Sequence, residues 1–403
     1  MNLKESVRTF IHEKKGYYKQ WVFDQPVVLS FDHNQKLQQL QKVMQKLISH
    51  FVTNYEDFEQ LMPVSAPVKE VLKLYRRKPY KIGTYRTDFV YDKNNNVRLL
   101  EITCRFALNG MFLSAIMNEI AEDIQKSHSN RLKIQDLYSP IFNHLKELIG
   151  EAKKVVVLKG RDNRNESKLF IPIFIEAGLT IEVIELNQID HSKSVFENSF
   201  IISELGLEEI LGLSSKTIEL LANSNMINDL RTVFLIHDKR FFSVLYNQEF
   251  RSSILTKKEE SFFKDFLIPT YSYREQHPMW CHARAHKDQW VIKHATLGKS
   301  QQVYAGIVTS QTEWESLFLS DMNNMVLQKW IETERVSGSI NDQPYLDYLT
   351  GTLIFFDHHY FGLGDFRTSS FPVTNKTDHR KACTFILSDK TTPEIPNLKY
   401  IHG

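Results

Sequence analysis

Two acidic residues, Asp88 and Glu101, flank a turn-forming run and are the first candidates for chemistry in this sequence. The segment IGTYRTDFVYDKNNNVRLLEITC alternates in polarity around DKNNN, which predicts a β-hairpin. If Asp92 pairs with Val97, the same register places Asp88 opposite Glu101. Like charges in directly opposed positions destabilise a sheet unless a cation lies between them. Because Mg²⁺ takes oxygen ligands from carboxylates, water and phosphates, the hairpin is a candidate magnesium site.

The same register places Arg86 opposite Thr103, on the face that carries both carboxylates. An arginine beside a metal binds anionic groups such as phosphates, so this face suggests phosphoryl transfer. The other face carries Tyr85, Phe89 and Tyr91 and is predicted to pack on the core. An ordinary hairpin with solvated charges on its wet face is the alternative that the pattern leaves open.

Two lysines accompany predicted buried strands further along the chain. Lys239 follows TVFLIHD, and Lys293 lies inside QWVIKHA, before the glycine-containing loop TLGKS. A lysine that faces a cleft beside such a loop binds nucleotide phosphates as a point charge. Gly298, Lys299 and Ser300 look like the end of a P-loop, but Lys293 stands where that motif needs its first glycine, so we reject it. Solvated lysines on amphipathic strands are the alternative.

The chain divides into four predicted segments that would position these residues. Residues 1–80 are predicted to be mostly helical, and residues 81–150 contain the hairpin followed by a helical stretch. Residues 151–230 show strand, helix and strand in the order of a parallel βαβ unit, without the glycine pattern of dinucleotide binding. Residues 231–403 are predicted to form an α+β unit, with strands at TVFLIH, QWVIKHA, MVLQKWI and GTLIFF.

Composition and charge restrict the classes of protein that fit. The 403 residues carry 50 Lys+Arg against 48 Asp+Glu, so no strong field attracts nucleic acid or an anionic membrane. The longest apolar runs, such as LFIPIFIEAG, are about half as long as a membrane-spanning helix requires. The first residues lack a secretory signal, and the 3 cysteines are widely spaced, so we expect a cytoplasmic protein without disulfides.

The combination of RTD and LLEIT on a hairpin, HDKRFF, WVIKHATLGKS and VLQKWIE resembles the ATP-grasp ligases over about residues 80–380. In this chain the acidic hairpin precedes the lysines. That order resembles the circularly permuted branch of the family, which is typified by glutathionylspermidine synthase. The resemblance implies an α/β (α+β) fold of the circularly permuted ATP-grasp type, with a helical N-terminal region and a Rossmann-like βαβ unit. It also implies an ADP-forming C–N ligase that uses ATP and Mg²⁺.

The resemblance assigns a role to individual residues. Asp88, Glu101 and Thr103 would bind Mg²⁺, and Arg86 would contact the transferred phosphoryl group. Thr103 departs from the asparagine usual in the family, and Asn109 is the alternative ligand. The residues assigned to ATP are Lys239, Lys293, Gly298, Lys299, Gln328, Lys329, Trp330, Ile331 and Arg367.

The substrates implied are a small-molecule or peptide carboxylate and an amine, joined as an amide through an acyl phosphate. A catalytically weakened module that only binds a nucleotide or ligand is the alternative. We expect neither nucleic acid nor a membrane as partner, and a homodimer stays open. The turn after VVVL is a candidate for substrate contacts, with a solvated turn as the alternative; it carries Arg161, Asp162, Arg164 and Glu166. A zinc site is a weaker alternative at Cys281, His282 and His286, which lack the HExxH glutamate.

Overall fold

The computed structural model describes residues 5–126, 132–135, 137–162, 166–273, 277–374, 378–387 and 399–401. Within these residues the chain has a mixed α/β fold, in which several sheets alternate with helices. The helices are α1 (Glu5–Lys19), α2 (Phe31–Thr53), α3 (Tyr55–Phe58), α4 (Ala66–Leu74), α5 (Met111–Lys126), α6 (Tyr138–Ile149), α7 (Glu166–Glu176), α8 (Leu207–Leu211), α9 (Ser215–Asn223), α10 (Phe241–Tyr246), α11 (Gln248–Ser252), α12 (Lys257–Lys264), α13 (Pro278–Ala285) and α14 (Gln311–Leu317).

The strands follow the same chain order. They are β1 (Val27–Leu29), β2 (Thr84–Tyr91), β3 (Val97–Thr103), β4 (Leu132–Lys133), β5 (Lys154–Lys159), β6 (Thr180–Glu185), β7 (Ser199–Glu204), β8 (Asn225–Ile227), β9 (Thr270–Ser272), β10 (Trp290–His294), β11 (Val303–Ala305), β12 (Met325–Lys329), β13 (Val336–Ile340), β14 (Gln343–Phe356), β15 (His359–Leu363), β16 (Phe366–Ser369), β17 (Lys381–Ala382), β18 (Thr384–Leu387) and β19 (Lys399–Ile401).

Two antiparallel sheets matter most for the site. In the larger one, the order β17-β16-β14-β2-β3 joins the hairpin to the C-terminal strands, and β13 and β15 also pair with β14. The smaller one has the order β11-β10-β12-β9. Since β14 pairs with β2 from Gly351 opposite Phe89 to Phe356 opposite Thr84, segments far apart in sequence form one continuous surface.

The hairpin forms with the predicted pairs at its functional end. Asp88 lies opposite Glu101, and Arg86 lies opposite Thr103. Near the turn the prediction was wrong by one residue, because Tyr91 rather than Asp92 pairs with Val97. A β-bulge between Asp88 and Phe89 shifts the register by one residue, because two residues of one strand lie opposite one residue of the other. The pairs beyond the bulge are therefore the predicted ones.

The aromatic face of the hairpin packs on the core as predicted. Tyr85, Phe89 and Tyr91 are buried with the apolar stripe of α2 in one cluster. That stripe, predicted from its helical spacing, comprises Leu37, Leu40, Val43, Leu47 and Phe51, all buried. The Ser30 hydroxyl caps the helix by accepting from the His33 amide, which leaves one fewer unsatisfied donor at the helix start.

The predicted βαβ unit is confirmed. Strands β5 and β6 are parallel, α7 connects them, and β7 pairs with the other side of β5. The parallel sheet has the order β6-β5-β7-β8. Helix α7 ends before Gly178, which has a φ of +82° that glycine adopts without steric cost.

Two local predictions were wrong. TVFLIH is not a strand: Thr232–Ile236 form a buried π-helical turn, because all-round apolar runs fit buried helical and extended backbone equally well. The long helical stretch after the hairpin is two helices, α5 and α6, with β4 between them. Residues 1–80 are mostly helical, as predicted, and they also contain β1, which pairs in parallel with β18 and β19 and so connects this region to the C-terminal part.

Candidate functional site

A cleft separates the hairpin side of the larger antiparallel sheet from the smaller one. Its empty volume is about 920 Å³, including space that opens to solvent. Strands β2, β3, β14 and β16 contribute one wall, and β10, β11 and β12 contribute the other. The predicted site residues that line it are Asp88, Glu101, Lys239, Lys293, Gly298, Gln328, Lys329, Trp330, Ile331 and Arg367.

Cations outnumber carboxylates in the lining. Four of the lining residues just named are lysines or an arginine and two are acidic, an excess of two positive charges. Low-dielectric walls strengthen such a field, so the cleft favours an anionic ligand. Because the chain as a whole is nearly neutral, this charge is a local property of the site.

Glu101 is surrounded by positive charge. The Lys239 ammonium lies 3.4 Å from its carboxylate. Burial raises the pKa of Glu101, but Lys239, Lys293 and Arg367 together outweigh burial and hold that pKa below its ordinary value. Glu101 is therefore ionised at neutral pH and presents an anionic oxygen ligand to the cleft.

Lys293 is buried and points from β10 into the cleft. Its ammonium donates to Gln328 Oε1 at 2.7 Å, and the Gln328 amide in turn donates to the Thr270 hydroxyl at 3.1 Å. Burial lowers the pKa of Lys293 to about 8, with Glu101 acting in the opposite direction and Lys239 in the same direction as burial. Gln328 thus fixes the position of a lysine that is easier to deprotonate than usual.

Asp88 is held by two guanidinium groups. Arg86 donates to it through Nε at 2.9 Å, and Arg367 forms a short ion pair with its other oxygen. Arg86 also donates to the Asn109 side chain at 3.4 Å. Arg367 lines the cleft, but Arg86 does not and lies behind Asp88. The resemblance had placed Arg86 on the transferred phosphoryl group. Arg86 therefore orients Asp88 in this conformation.

The far end of the cleft is apolar. Val291, Ala305 and Leu349 line it together with Trp330 and Ile331, which follow β12. An apolar surface of this kind packs against planar aromatic groups, and the adenine contact predicted for this segment stays a prediction. However, the Lys329 and Trp330 amides already donate to Pro269 O and Gln289 O, so a base would have to bond to other backbone groups of this segment.

The loop between β10 and β11 covers the charged end. Leu297, Gly298 and Ser300 line the cleft, and the Lys239 ammonium donates to Leu297 O at 2.6 Å. Lys299 does not line it: its side chain points away and forms an ion pair with Asp162. The loop is thus bound to the cleft on one side and to the parallel sheet unit on the other.

Several other predicted residues lie outside the lining. Thr103 is partly buried opposite Arg86, and Asn109 bonds to Arg86 instead of entering the cleft. No cluster of three or more His, Cys, Asp or Glu side chains in the described ranges is placed to hold a metal ion, the region of Cys281, His282 and His286 included. A magnesium ion would therefore have at most two protein carboxylates here.

The turn after β5 is only partly described. Asp162 binds Lys299 and lies 3.6 Å from Arg105, and Glu166 accepts from the Gly110 amide at 3.1 Å. The Arg161 amide donates to Glu209. Arg164 lies outside the described residues.

Sequence reasoning missed Arg105 and His294. Arg105 lies against Gly298, where an added Cβ would approach its guanidinium to 2.8 Å, so a larger residue at this position would have to displace the end of the arginine side chain. His294 accepts from two loop amides. The available signal for His294 was that it is a polar residue next to Lys293 on β10. Side chains alternate between the two faces of a strand, so neighbouring positions point to opposite faces.

Comparison with known proteins gives one family match. Residues 37–235 match the AnkG N-terminal domain. The match covers slightly under half of the chain and includes the hairpin and the parallel unit, but it ends before Lys239 and the β10–β12 wall of the cleft. No curated protein matches the chain. No helix in the described ranges combines the length and apolar character needed to cross a bilayer.

The match overturns one prediction. The assignment to the permuted ATP-grasp family, as typified by glutathionylspermidine synthase, was wrong, because the family that matches is the AnkG N-terminal domain. The motifs behind that assignment are pairs and triplets of charged residues on strands. Such short motifs follow from charge and strand alternation, and they do not by themselves identify a family.

Proposed function

We propose that the cleft binds Mg²⁺ and ATP and that the chain is an ATP-dependent carboxylate–amine ligase. The observation that supports this most is the convergence of Lys239, Lys293 and Arg367 with two ionisable carboxylates at one end of an apolar cleft. A triphosphate fits the positive end, and a base fits the apolar end. As a finer assignment of the fold, we propose that the two antiparallel sheets enclose the nucleotide as in an ATP-grasp arrangement.

The residues present fit a magnesium ion. Asp88 and Glu101 lie directly opposite each other in the sheet and both line the cleft, so two hard oxygen donors are available. Water and phosphate oxygens would complete the coordination. Magnesium would neutralise charge on the phosphates, and Asp88 would exchange part of its contact with Arg367 for the metal.

The proposed reaction has two steps. A carboxylate oxygen of the first substrate attacks the γ-phosphorus, the new O–P bond forms, and the bond to the β–γ bridging oxygen breaks to release ADP. The amine nitrogen of the second substrate then attacks the acyl carbon, loses a proton, and expels inorganic phosphate to leave an amide.

The protein contributes position and charge to both steps. Lys239, Lys293 and Arg367 stabilise oxygens that gain negative charge, and the loop over the charged end excludes water that would hydrolyse the acyl phosphate. No protein nucleophile is needed. Cys104 fits this view, because it is buried and its thiol donates to Thr232 O at 3.4 Å.

Hydroxylamine tests the reaction before either substrate is known. The purified chain would be incubated with Mg²⁺-ATP, hydroxylamine and a panel of amino acids, peptides and other carboxylates. We expect ADP and a hydroxamate to form together with at least one carboxylate, since hydroxylamine captures an acyl phosphate. Amines, including amino acids and polyamines, are then screened with that carboxylate, and the Glu101→Gln protein is the control.

A second function is supported by the arginine contacts of Asp88. With one oxygen bound by Arg86 and the other by Arg367, the cleft favours a nucleotide-binding module without turnover. Stoichiometric binding of ATP, without ADP from any carboxylate and amine pair, would support the module and exclude the ligase. If ATP does not bind at all, both functions are wrong.

A further inference from the structure

His294 is a side chain that the proposed function does not use. It is the last residue of β10, next to Lys293, and its Nδ1 accepts from the Thr296 amide at 3.2 Å and the Leu297 amide at 3.3 Å. Only an imidazole without a proton on Nδ1 can accept these two bonds. The observed geometry therefore requires the neutral ring with its proton on Nε2.

These two amides begin the loop that covers the charged end of the cleft. Leu297 also accepts from the Lys239 ammonium, so its peptide groups are bound from both sides. Ala295, between His294 and the loop, accepts from the Lys239 amide at 2.8 Å and donates to Asn324 O at 2.7 Å. The start of the loop is thereby fixed relative to a lysine of the cleft.

We propose that neutral His294 is a positioning residue that holds the loop 296–302 over the phosphate end of the cleft. The inference rests on the proposed nucleotide site, because the loop matters for function only if that end binds phosphates. Protonation puts a hydrogen on Nδ1, removes the acceptor, and brings two donors face to face. The loop is then released, and nucleotide affinity falls.

The surroundings of His294 favour the neutral ring. Burial lowers the pKa of His294 and Lys239 lowers it further, whereas Asp238 raises it and Arg240 lowers it. Asp238 is itself bound by the Arg240 guanidinium at 2.6 Å, which limits its support for an imidazolium. His294 also lines a second cleft, whose other titratable residues, besides Asp238 and Arg240, are Glu208 and Tyr273. The loop is therefore closed at neutral pH and opens only at a pH below the ordinary pKa of an imidazole.

Two substitutions separate the hydrogen bonds from the rest of the side chain. His294→Ala removes the acceptor, whereas His294→Asn keeps an amide oxygen that can accept from the same amides without titrating. We expect the alanine variant to bind a non-hydrolysable ATP analogue with Mg²⁺ roughly tenfold more weakly at about pH 7.5, the order expected from two lost hydrogen bonds. The asparagine variant should bind nearly as well as wild type. Wild-type affinity should fall toward pH 5.5 more steeply than that of the asparagine variant.

Limited proteolysis with trypsin measures the opening of the loop in the absence of nucleotide. Lys299 is exposed within the loop, so its cleavage, followed by mass spectrometry, measures loop opening. Cleavage after Lys42, exposed on α2, measures global unfolding instead. We expect faster cleavage after Lys299 in the alanine variant only, with unchanged cleavage after Lys42.

The outcomes distinguish this inference from the proposed function. Equal affinity and equal cleavage after Lys299 in wild type and the alanine variant would overturn the role of His294. So would an asparagine variant that behaves like alanine in both assays. If no protein binds the analogue but cleavage after Lys299 follows the expected order, the loop role stands and the nucleotide site is wrong.

Discussion

At the residue scale, the two carboxylates of the cleft have different surroundings. Asp88 is clamped between Arg86 and Arg367, whereas Glu101 lies among lysines that keep its pKa low. Arginine forms planar, directional pairs, and lysine is a point charge that re-orients easily. Glu101 is therefore the more available ligand, and Asp88 must first give up a guanidinium contact.

Removing either charge tests the metal role. Asp88→Asn and Glu101→Gln keep the side-chain volume but remove the charge that would bind Mg²⁺. We expect a loss of turnover of about 10²–10³-fold, measured as ADP release in the hydroxylamine assay. Asp92→Asn is a matched control, since Asp92 binds Arg98 and the turn amides, away from the cleft. Full activity in both cleft variants would remove the hairpin from the reaction.

The lowered pKa of Lys293 predicts a pH dependence on the alkaline side. The ammonium is present below about pH 8 and is lost as pH rises through that value. ATP keeps its own charge over the same interval, because its terminal phosphate has a pKa near 6. We expect affinity for Mg²⁺-ATP to fall between about pH 7 and 9.5, as measured by calorimetry. Lys293→Arg stays charged, so a parallel fall in that variant would assign the effect to another group.

At the element scale, the bulge in the hairpin links the two walls of the cleft. Leu100 is the extra residue on β3, and its carbonyl accepts from the Gln328 amide at 3.4 Å. Gln328 also binds Lys293, so the irregular point of one sheet orients a lysine on the other. β-Bulges are common next to active sites, where they change the direction of a side chain.

Strand β14 passes through the centre of the larger sheet at a glycine. A Cβ on Gly351 would lie 2.3 Å from Phe89 and 2.5 Å from Phe366, both fully buried rings. We expect Gly351→Ala to lower the free energy of unfolding by about 1–3 kcal/mol, because overpacked rings must leave their favoured positions. Chemical denaturation measures the change.

Gly16 is the matched control for this substitution. It lies in α1 with nothing within 4 Å of an added Cβ. Gly16→Ala should raise the free energy of unfolding by about 0.5–1 kcal/mol, because alanine is the better helix former. If both variants shift in the same direction, the close packing around Gly351 does not decide its effect.

At the scale of the whole molecule, the cleft lies between sheets that the chain builds from distant segments. Hairpin residues near position 90 meet β14 and β16, and the facing wall comes from β10 to β12. A ligand in the cleft contacts both walls, so it should stabilise the folded chain as a whole.

Thermal unfolding tests that coupling. Mg²⁺-ATP at one hundred times its dissociation constant should add about 2.7 kcal/mol to the free energy of unfolding, since only the folded chain binds it. The unfolding midpoint should rise with ligand concentration, and the rise should be smaller for Glu101→Gln. If the wild-type unfolding midpoint does not change with the concentration of Mg²⁺-ATP, binding in the cleft is contradicted.

The sequence predicted much of this arrangement through local periodicity. Alternation in the hairpin gave the Asp88–Glu101 pair, and helical spacing gave the stripe of α2. It did not reveal the π-helical turn at Thr232–Ile236 or the pairing of β1 with β18 and β19. An apolar run is satisfied by any buried backbone, and strand partners far apart in sequence leave no local period.

Sequence by itself determined which charged residues stand on which elements, since side-chain alternation is a local property of the backbone. Only the tertiary structure decided their partners. It placed Arg86 behind Asp88, turned Lys299 toward Asp162, and gave His294 the two loop amides. These contacts depend on packing between sheets, because a long charged side chain binds whichever opposite charge or acceptor the fold brings within reach.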